Sequence, residues 1–530
     1  MKVVIADELP RQAVAVLEGV EGWQVEFRPR HSRQELTAML ADADALIVRS
    51  ATQVDRELLD AAPRLRVVAR AGTGVDNVAV EEATRRGIVV MNAPGANSVS
   101  VAEHACGMML ALSRSIPAAD AAMKQQRWDK KRFTGSELAG KTLGLVGLGR
   151  VGQEVARRAS AFGMEILAHD PYISEQLAAD LGVTLVSLDE VCTRADYLSL
   201  HLPLTSATRR LFDAERLATC RRGVRMINTA RGELIDSTAL AAALASGQVG
   251  GAGLDVFEQE PPKDWALVGL PQVIATPHIA ASTREAQEMV AAEITQAVRD
   301  FLRDGIVRNA VNFPTLPPEQ FHRLKPYLTL AERLGTLAIQ VERAHVTGIG
   351  IRYYGELVTG PTEHVTSATL VGLLRPILSS GITLVNARSV ASQRGMEVVE
   401  SRSTRSREFT SLISLKLRTS DGERWLEGTV FEPERPRLVL LDGVNVEAPL
   451  EGTMIIIWNN DQPGVIGDVG TILGHHGINI SSFALGRSDR GAVGVVNVDE
   501  QPGVGGEAYD RALEEIRKVA AVRQAGLVRL

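Results

Sequence analysis

An apolar run, Leu143-Gly144-Leu145-Val146, leads straight into Gly147-Leu148-Gly149-Arg150-Val151-Gly152, and an acid, Asp170, follows the next apolar run, Glu165 to His169. Few short patterns restrict a fold as strongly. The first glycine permits a tight strand-to-helix turn, the second lets backbone approach a pyrophosphate, and the third allows close helix-to-strand packing. The spacing predicts a strand, the turn, a helix to Phe162 and a second strand ending at His169, which is the rhythm of a parallel sheet with crossover helices. A carboxylate at Asp170 accepts hydrogen bonds from a ribose 2′-hydroxyl and repels a 2′-phosphate, so the cofactor reads as NAD rather than NADP. Arg150 belongs beside the pyrophosphate. A glycine turn that serves only packing, with Asp170 as a solvated strand end, is the alternative.

Around this turn the chain divides into several units, as 530 residues with 45% hydrophobic content require. The first hundred residues alternate short β-branched runs (Val3 to Ala6, Ala45 to Arg49, Val67 to Ala71, Ile88 to Met91) with helical stretches, an α/β unit without a glycine fingerprint. The second unit opens with a helix over Ser98 to Arg114 and continues to about Ala281. A helix from Thr283 to Arg303 follows, and the prolines between Asn312 and Pro318 break regular structure and mark a boundary. From 319 to 450 the pattern is mixed, with a helix near Pro326 to Val346, a strand over Gly348 to Tyr354, and antiparallel-looking runs at Ser411 to Arg418 and Leu438 to Leu441. From 452 to 530 the order strand (Met454 to Trp458), helix (Gly464 to His476), strand (Ile478 to Leu485), strand (Ala492 to Val498), helix (Ala508 to Val522), strand (Gln524 to Leu530) is ferredoxin-like βαββαβ.

Charge and cysteine usage narrow the class. A net charge of −6 with dispersed basic residues disfavours nucleic acid and anionic membrane as partners. Cys106, Cys192 and Cys220 stand far apart with no metal-ligand or redox spacing, so they read as reduced core residues and no metal is expected. The first residues begin a strand without a signal-peptide pattern, and no apolar run is long enough for a membrane span, which points to the cytoplasm.

Three polar residues downstream carry the chemistry. Arg231 follows the apolar strand that ends in Ile227-Asn228, at the edge where a doubly wound sheet presents functional groups, and its planar fork suits a 2-hydroxy carboxylate. His278 follows Val273-Ile-Ala-Thr-Pro277, and Glu260 lies in a loop before Pro261 and Pro262. A histidine whose tautomer and pKa are set by a carboxylate can take a hydroxyl proton during hydride transfer. Asp255 is a candidate for the nicotinamide end of the cofactor, or an ordinary turn aspartate. In the first unit Arg49-Ser50 ends a strand, and Gly72-Thr73-Gly74-Val75 supplies open backbone N–H groups for an anion, so Arg49 is a candidate for a distal substrate charge. A surface arginine that solvates a strand end is the competing reading. Lys130-Lys131-Arg132 either reaches the same anion, across a subunit boundary, or is a solvated basic turn.

The segments Arg70-Ala-Gly-Thr-Gly-Val-Asp-Asn77, Gly144-Leu-Val-Gly-Leu-Gly-Arg-Val-Gly152, Asn228-Thr-Ala-Arg-Gly232, Leu254-Asp-Val-Phe257 and Thr276-Pro-His278 together resemble the D-2-hydroxyacid dehydrogenases. The two further units make the whole chain similar to the long phosphoglycerate dehydrogenases of that family. The resemblance implies a Rossmann-type NAD domain (98–282) inserted in a flavodoxin-like substrate domain (1–97 and 283–312). An intervening α/β domain (319–450) and an ACT domain (452–530) follow. It implies catalysis by Arg231, Glu260 and His278, with cofactor contacts at Thr73, Val151, Pro203, Thr229, Ala230 and Asp255 besides the glycine turn and Asp170. Substrate contacts are implied at Arg49, Ser50, Gly74, Val75, Lys130 and Arg132. The implied reaction is NAD-dependent oxidation of 3-phosphoglycerate at the start of serine synthesis, by a tetramer or dimer. L-serine would be the inhibitory effector, held by Asp461, Asn479 and Ile480. An ACT-like domain that serves only assembly, a glyoxylate or hydroxypyruvate reductase, and a nucleotide-sensing regulator are the alternatives.

Overall fold

In the computed structural model the described residues are 1–342, 344–378, 381–405, 407–432, 434–489, 491–499 and 506–530. The first sheet has the order β2-β1-β3-β4-β5, from β1 (Lys2–Ile5), β2 (Gln24–Phe27), β3 (Ala45–Val48), β4 (Val67–Arg70) and β5 (Val89–Met91), all parallel. Its central strands are buried on both faces, which is why they read as unbroken apolar runs. Strand β2 escaped the sequence reading because Gln24-Val-Glu-Phe27 is a short, half-exposed edge strand.

The chain leaves this sheet through the helix Ser98–Arg114 and builds a second parallel sheet. That sheet has the order β12-β11-β10-β9-β6-β7-β8. Its strands are β6 (Thr142–Val146), β7 (Glu165–His169), β8 (Thr184–Leu185), β9 (Tyr197–Leu200), β10 (Val224–Asn228), β11 (Val249–Leu254) and β12 (Val273–Ala275). The helix Arg284–Asp304, capped by the Thr283 hydroxyl and ended by left-handed Gly305, then carries the chain back to the first sheet. Val290, Ile294, Val298 and Leu302 pack there against Leu17, Ile47 and Val89. The return is stapled by Asn312, whose Oδ1 accepts from Val90 N (2.9 Å) and whose Nδ2 donates to Ile88 O and Thr84 Oγ1, each at 2.9 Å.

The helix Pro318–Gln340 begins eight residues before the expected Pro326, because Pro317 and Pro318 occupy the cap and first-turn positions, where a missing N–H costs nothing. It packs on the helix Thr362–Leu374 and over a six-stranded sheet of order β14-β13-β15-β16-β17-β18. The strands are β13 (Val346–Gly355), β14 (Glu397–Ser403), β15 (Ser411–Thr419), β16 (Gly422–Phe431), β17 (Arg435–Leu441) and β18 (Val444–Pro449). The last sheet, β20-β21-β19-β22, is formed by β19 (Thr453–Asn459), β20 (Ile480–Ser488), β21 (Gly491–Val498) and β22 (Val522–Arg529). The helices Val465–His475 and Gly506–Ile516 complete βαββαβ, the second ending at Ile516 rather than Val522 because Val522 already pairs with Asn459 in β22. One face of this sheet (Ile455, Ile457, Val496) packs under those helices. The other face (Met454, Ile456, Trp458, Val495) joins the core of the preceding sheet. Gln340 ties the two together by donating to Arg529 O and accepting from Arg529 N, both at 2.9 Å, in the manner of a neighbouring strand.

Asn312→Ala removes three partly buried hydrogen bonds at the edge of the first sheet. It is expected to cost about 2 kcal/mol locally, read as amide exchange at Val90 accelerated by at least about tenfold; unchanged exchange refutes the staple.

Candidate active site

Both parallel sheets direct their carboxyl ends into one cleft, a cavity of about 740 Å³ whose walls come from the loops after β3, β4, β6, β9 and β10 and from the segment around His278. On the second sheet, Gly147 has φ 99 and sits so close to β9 that a Cβ would lie 2.5 Å from His201 O, so only glycine fits. A Cβ on Gly152 would collide with Gly147 O, while Gly149 faces open space. Asp170 Oδ2 accepts from Leu148 N (2.8 Å) and Oδ1 from Tyr172 N (2.9 Å), which locks the acid against the turn. Arg150 and Val151 line the cleft, and the Arg150 guanidinium reaches Pro94 O on the first-sheet side. Pro203, Thr229 and Ala230 line the same wall, and the buried Thr229 hydroxyl has no partner among the described residues. A turn open to close backbone approach, an acid beside it and an orphaned hydroxyl in the wall fit a dinucleotide.

Arg231 leaves the end of β10 through a bend held by Asn228, whose Oδ1 accepts from Ala230 N (3.1 Å) and whose Nδ2 donates to Arg231 O (2.8 Å). His278 Nδ1 lies 2.6 Å from Glu260 Oε2. With that nitrogen donating to the carboxylate, Nε2 is left with a lone pair. The Glu260 hydrogen bond and charge raise the His278 pKa above its ordinary 6.5, against burial and Arg231, which lower it. His278 itself is left-handed at φ 54, a conformation held by its N–H on Asp255 O (2.8 Å).

Asp255, a candidate for the nicotinamide end of the cofactor or an ordinary turn aspartate, lies behind the His278 loop. Its side chain is fully buried and absent from the cavity wall. Oδ1 accepts from Ile279 N (2.9 Å) and the Thr276 hydroxyl, and Oδ2 from Ala280 N (2.8 Å), with His104 Nε2 3.5 Å away. Burial pushes its pKa up, but these donors prevail and hold it below the ordinary value. Asp255 therefore braces the His278 loop from behind.

On the first-sheet side, Arg49, Ser50, Thr73 and Gly74 line the cleft, with the Arg49 backbone fixed between the Asp7 carboxylate and Asn77 Nδ2. Val75 turns instead toward the apolar layer with Val54 and Val78. Arg70 was missed as a site residue. It ends β4 as Arg49 follows β3, lines the cleft, and keeps a buried Nε without partner among the described residues. Its position at a strand's carboxyl end was the available signal. Burial, then the charges of Arg231 and Arg49, lower its pKa. Asp76, also unforeseen, faces Arg231 at 2.8 Å. His201, in the cleft wall, is pushed down to about 4 by burial and is neutral at pH 7. Lys130 and Arg132 stand exposed on the short helical turn Lys130–Phe133, outside the walls this single chain forms, so the structure does not bring them to the other arginines.

Asp461, Asn479 and Ile480 lie in the last unit, apart from the cleft. Asp461 pairs with Arg487 (3.2 Å), Asn479 Nδ2 donates to Asp499 (2.6 Å), and Ile480 begins β20. The three cysteines are buried and unlinked.

Comparison with known proteins agrees with this division. The family described as D-isomer specific 2-hydroxyacid dehydrogenase, NAD binding domain, matches residues 106–280. The D-3-phosphoglycerate dehydrogenase intervening domain matches 323–442 and the ACT domain 453–521. A D-3-phosphoglycerate dehydrogenase of Methanocaldococcus jannaschii is 42% identical over the full length of both chains, and one of Archaeoglobus fulgidus 41%. The crystal structure of a glyoxylate reductase from Paecilomyes thermophila covers 60% of this chain and 99% of its own, with 31% identity and a TM-score of 0.55.

The His278–Glu260 pair predicts an NMR titration of the His278 imidazole with a midpoint above 6.5, falling toward 6.5 in Glu260→Gln. A group whose folded pKa is raised stabilises the protein fully below its unfolded pKa and loses that contribution as pH rises through the folded value. The wild type's advantage over Glu260→Gln in thermal unfolding is therefore expected to shrink as pH rises from below about 6.5 through the raised folded midpoint. An unmoved midpoint refutes the pairing.

Proposed function

The chain belongs to the D-3-phosphoglycerate dehydrogenase family, and from that membership together with the cleft we infer which of its residues oxidise 3-phosphoglycerate to 3-phosphohydroxypyruvate. The cofactor is NAD. When bound, it supplies the acceptor for the hydride that leaves C2 of the substrate. The observation that carries the assignment is that Arg49, Arg70 and Arg231, from the carboxyl edges of two different sheets, converge on one cavity with the His278–Glu260 pair.

Arg231 holds the substrate carboxylate by its planar fork, which fixes the C2 hydroxyl toward His278. His278 Nε2 takes the hydroxyl proton as C2 becomes a carbonyl carbon, and Glu260 stabilises the imidazolium that results. Arg49 and Arg70 meet the phosphate. A distal phosphate explains a second and third arginine that a two-carbon acid such as glyoxylate has no group to engage. The open turn at Gly147, Gly149 and Gly152, with Arg150, receives the pyrophosphate, and Asp170 the adenosine ribose. Thr73, Val151, Pro203, Thr229 and Ala230 complete the cofactor wall, with Ser50 and Gly74 beside the substrate and the Val75 backbone following Gly74. Lys130 and Arg132 act on the phosphate of a partner subunit, since in their own chain they stand away from the cleft.

The sheets support the domain limits 1–97 with 283–312, 98–282, 319–450 and 452–530. L-serine is the proposed effector of the ACT domain, and it would replace Arg487 on Asp461 and Asp499 on Asn479, near Ile480. Assembly is a homo-oligomer, dimer or tetramer, and location is the cytoplasm. No helix among the described residues is long and apolar enough to cross a membrane.

NADH formation from NAD and 3-phosphoglycerate, drawn forward by phosphoserine aminotransferase, tests the reading. Arg231→Ala is expected to lower kcat/KM by at least about 100-fold while the Kd for NAD holds. Arg49→Ala and Arg70→Ala are expected to spare an unphosphorylated 2-hydroxy acid and to lose the phosphorylated one. Equal losses on both substrates refute the phosphate assignment, and L-serine without effect on turnover refutes the effector.

A further inference from the structure

A negative charge stands in the middle of a site built for anions. Asp76, in the loop after β4, places Oδ2 at 3.0 Å from Arg231 Nε and 2.8 Å from Nη2, across the cleft and 155 residues away in sequence. Toward an anionic substrate this carboxylate is repulsive, and it offsets one of the three converging arginines. Net attraction would be stronger without it, so its contribution has to lie in geometry.

The donor inventory shows what that geometry is. A guanidinium carries five N–H groups. In Arg231, Nε gives its one N–H to Asp76 Oδ2, Nη2 lies 2.8 Å from the same oxygen as an ion pair, and Nη1 gives one N–H to Ala230 O at 2.6 Å. Asp76 thus covers the Nε side of the guanidinium, and both η nitrogens keep N–H groups for a carboxylate bound at the far end, where a bidentate pair needs one from each. Gly74 is fitted to the same arrangement: a Cβ there would run into Arg231 Nη2 and stand 2.6 Å from Asp76 Oδ2. Burial raises the Asp76 pKa, but the hydrogen bond and charge of Arg231, with Arg70 behind, hold it below the ordinary value, so the carboxylate stays ionised at neutral pH.

We propose that Asp76 is a positioning residue for Arg231: it occupies the Nε edge of the guanidinium from the opposite sheet, so that the η nitrogens are presented to the substrate carboxylate. This deepens the function proposed above and rests on Arg231 holding that carboxylate.

A double-mutant cycle on the full-length protein with NAD and 3-phosphoglycerate tests it. Asp76→Ala is expected to lower kcat/KM by roughly 10- to 100-fold, with the NAD Kd within about twofold of the parent. Asp76→Asn, which keeps the shape and one acceptor, recovers part of the loss. The decisive readout is coupling: in an Arg231→Ala background Asp76→Ala costs no more than about threefold further, because there is no longer a guanidinium to orient. Losses that multiply in the double variant, or an Asp76→Ala enzyme as active as the parent or more so, overturn the proposal. Should Asp76→Ala fail to fold, the near-isosteric Asp76→Asn enters the same cycle under the same criteria. A fully active Arg231→Ala enzyme removes the reading of Arg231 and this proposal with it, whereas multiplying losses over a damaged Arg231→Ala remove this proposal alone.

Discussion

Strand polarity is the constraint on which the site depends. Within each of the first two sheets every strand runs parallel to its neighbours, so all carboxyl ends of a sheet share one edge. Any polar residue placed just after a strand is thereby delivered to that edge, whatever its distance in sequence. Arg49 and Arg231 follow strands and Arg70 ends one, and the three become neighbours only because the two edges face each other. The return helix Arg284–Asp304 and the Asn312 staple keep the first sheet intact although the second is inserted in it.

Placement at an edge leaves orientation to be set, and buried polar groups set it. Asp255 shows the logic most fully: its carboxylate has no exposure, yet backbone and hydroxyl donors satisfy it, and those donors belong to the segment that presents His278. An unpaired buried carboxylate would be prohibitively costly, so the loop has one arrangement that satisfies it. Asn228 does the same for the bend before Arg231, and Asp7 with Asn77 for the backbone of Arg49. The side chains of the cleft thus rest on a layer of polar residues satisfied within the protein.

The C-terminal half follows a different principle. Its last sheet is apolar on both faces, one covered by its own helices and the other merged with the core of the preceding sheet, while Gln340 extends its edge. Two units that the sequence pattern separates are therefore mechanically one. They meet the catalytic half through Thr383 and Asn386, which bond to Gly87 O (2.9 Å) and Arg85 O (3.0 Å) in the turn just before β5. That turn belongs to the same sheet whose neighbouring strand carries Arg70.

Local chemistry was legible in the amino-acid order. The glycine turn, Asp170, the helix Ser98–Arg114, the strand Glu165–His169, the βαββαβ tail and the Arg231, Glu260, His278 set could all be read because each depends on spacing within a few residues or on a residue's place after an apolar strand. The edge strand β2, the early start of the helix at Pro318 and the extra antiparallel strands of the third sheet were not, since short half-buried strands and proline at a helix start carry weak periodic signal. Asp255 was legible only as two alternatives, because nothing local says whether a turn aspartate faces a ligand or the loop behind it. The sequence alone determined the parallel α/β class, the cofactor turn and the kinds of side chain available for the reaction. Only the tertiary structure decided that Arg70 and Asp76 belong with Arg231, because charge pairing and burial are set by what lies across a cleft, and the partners there are 155 residues apart.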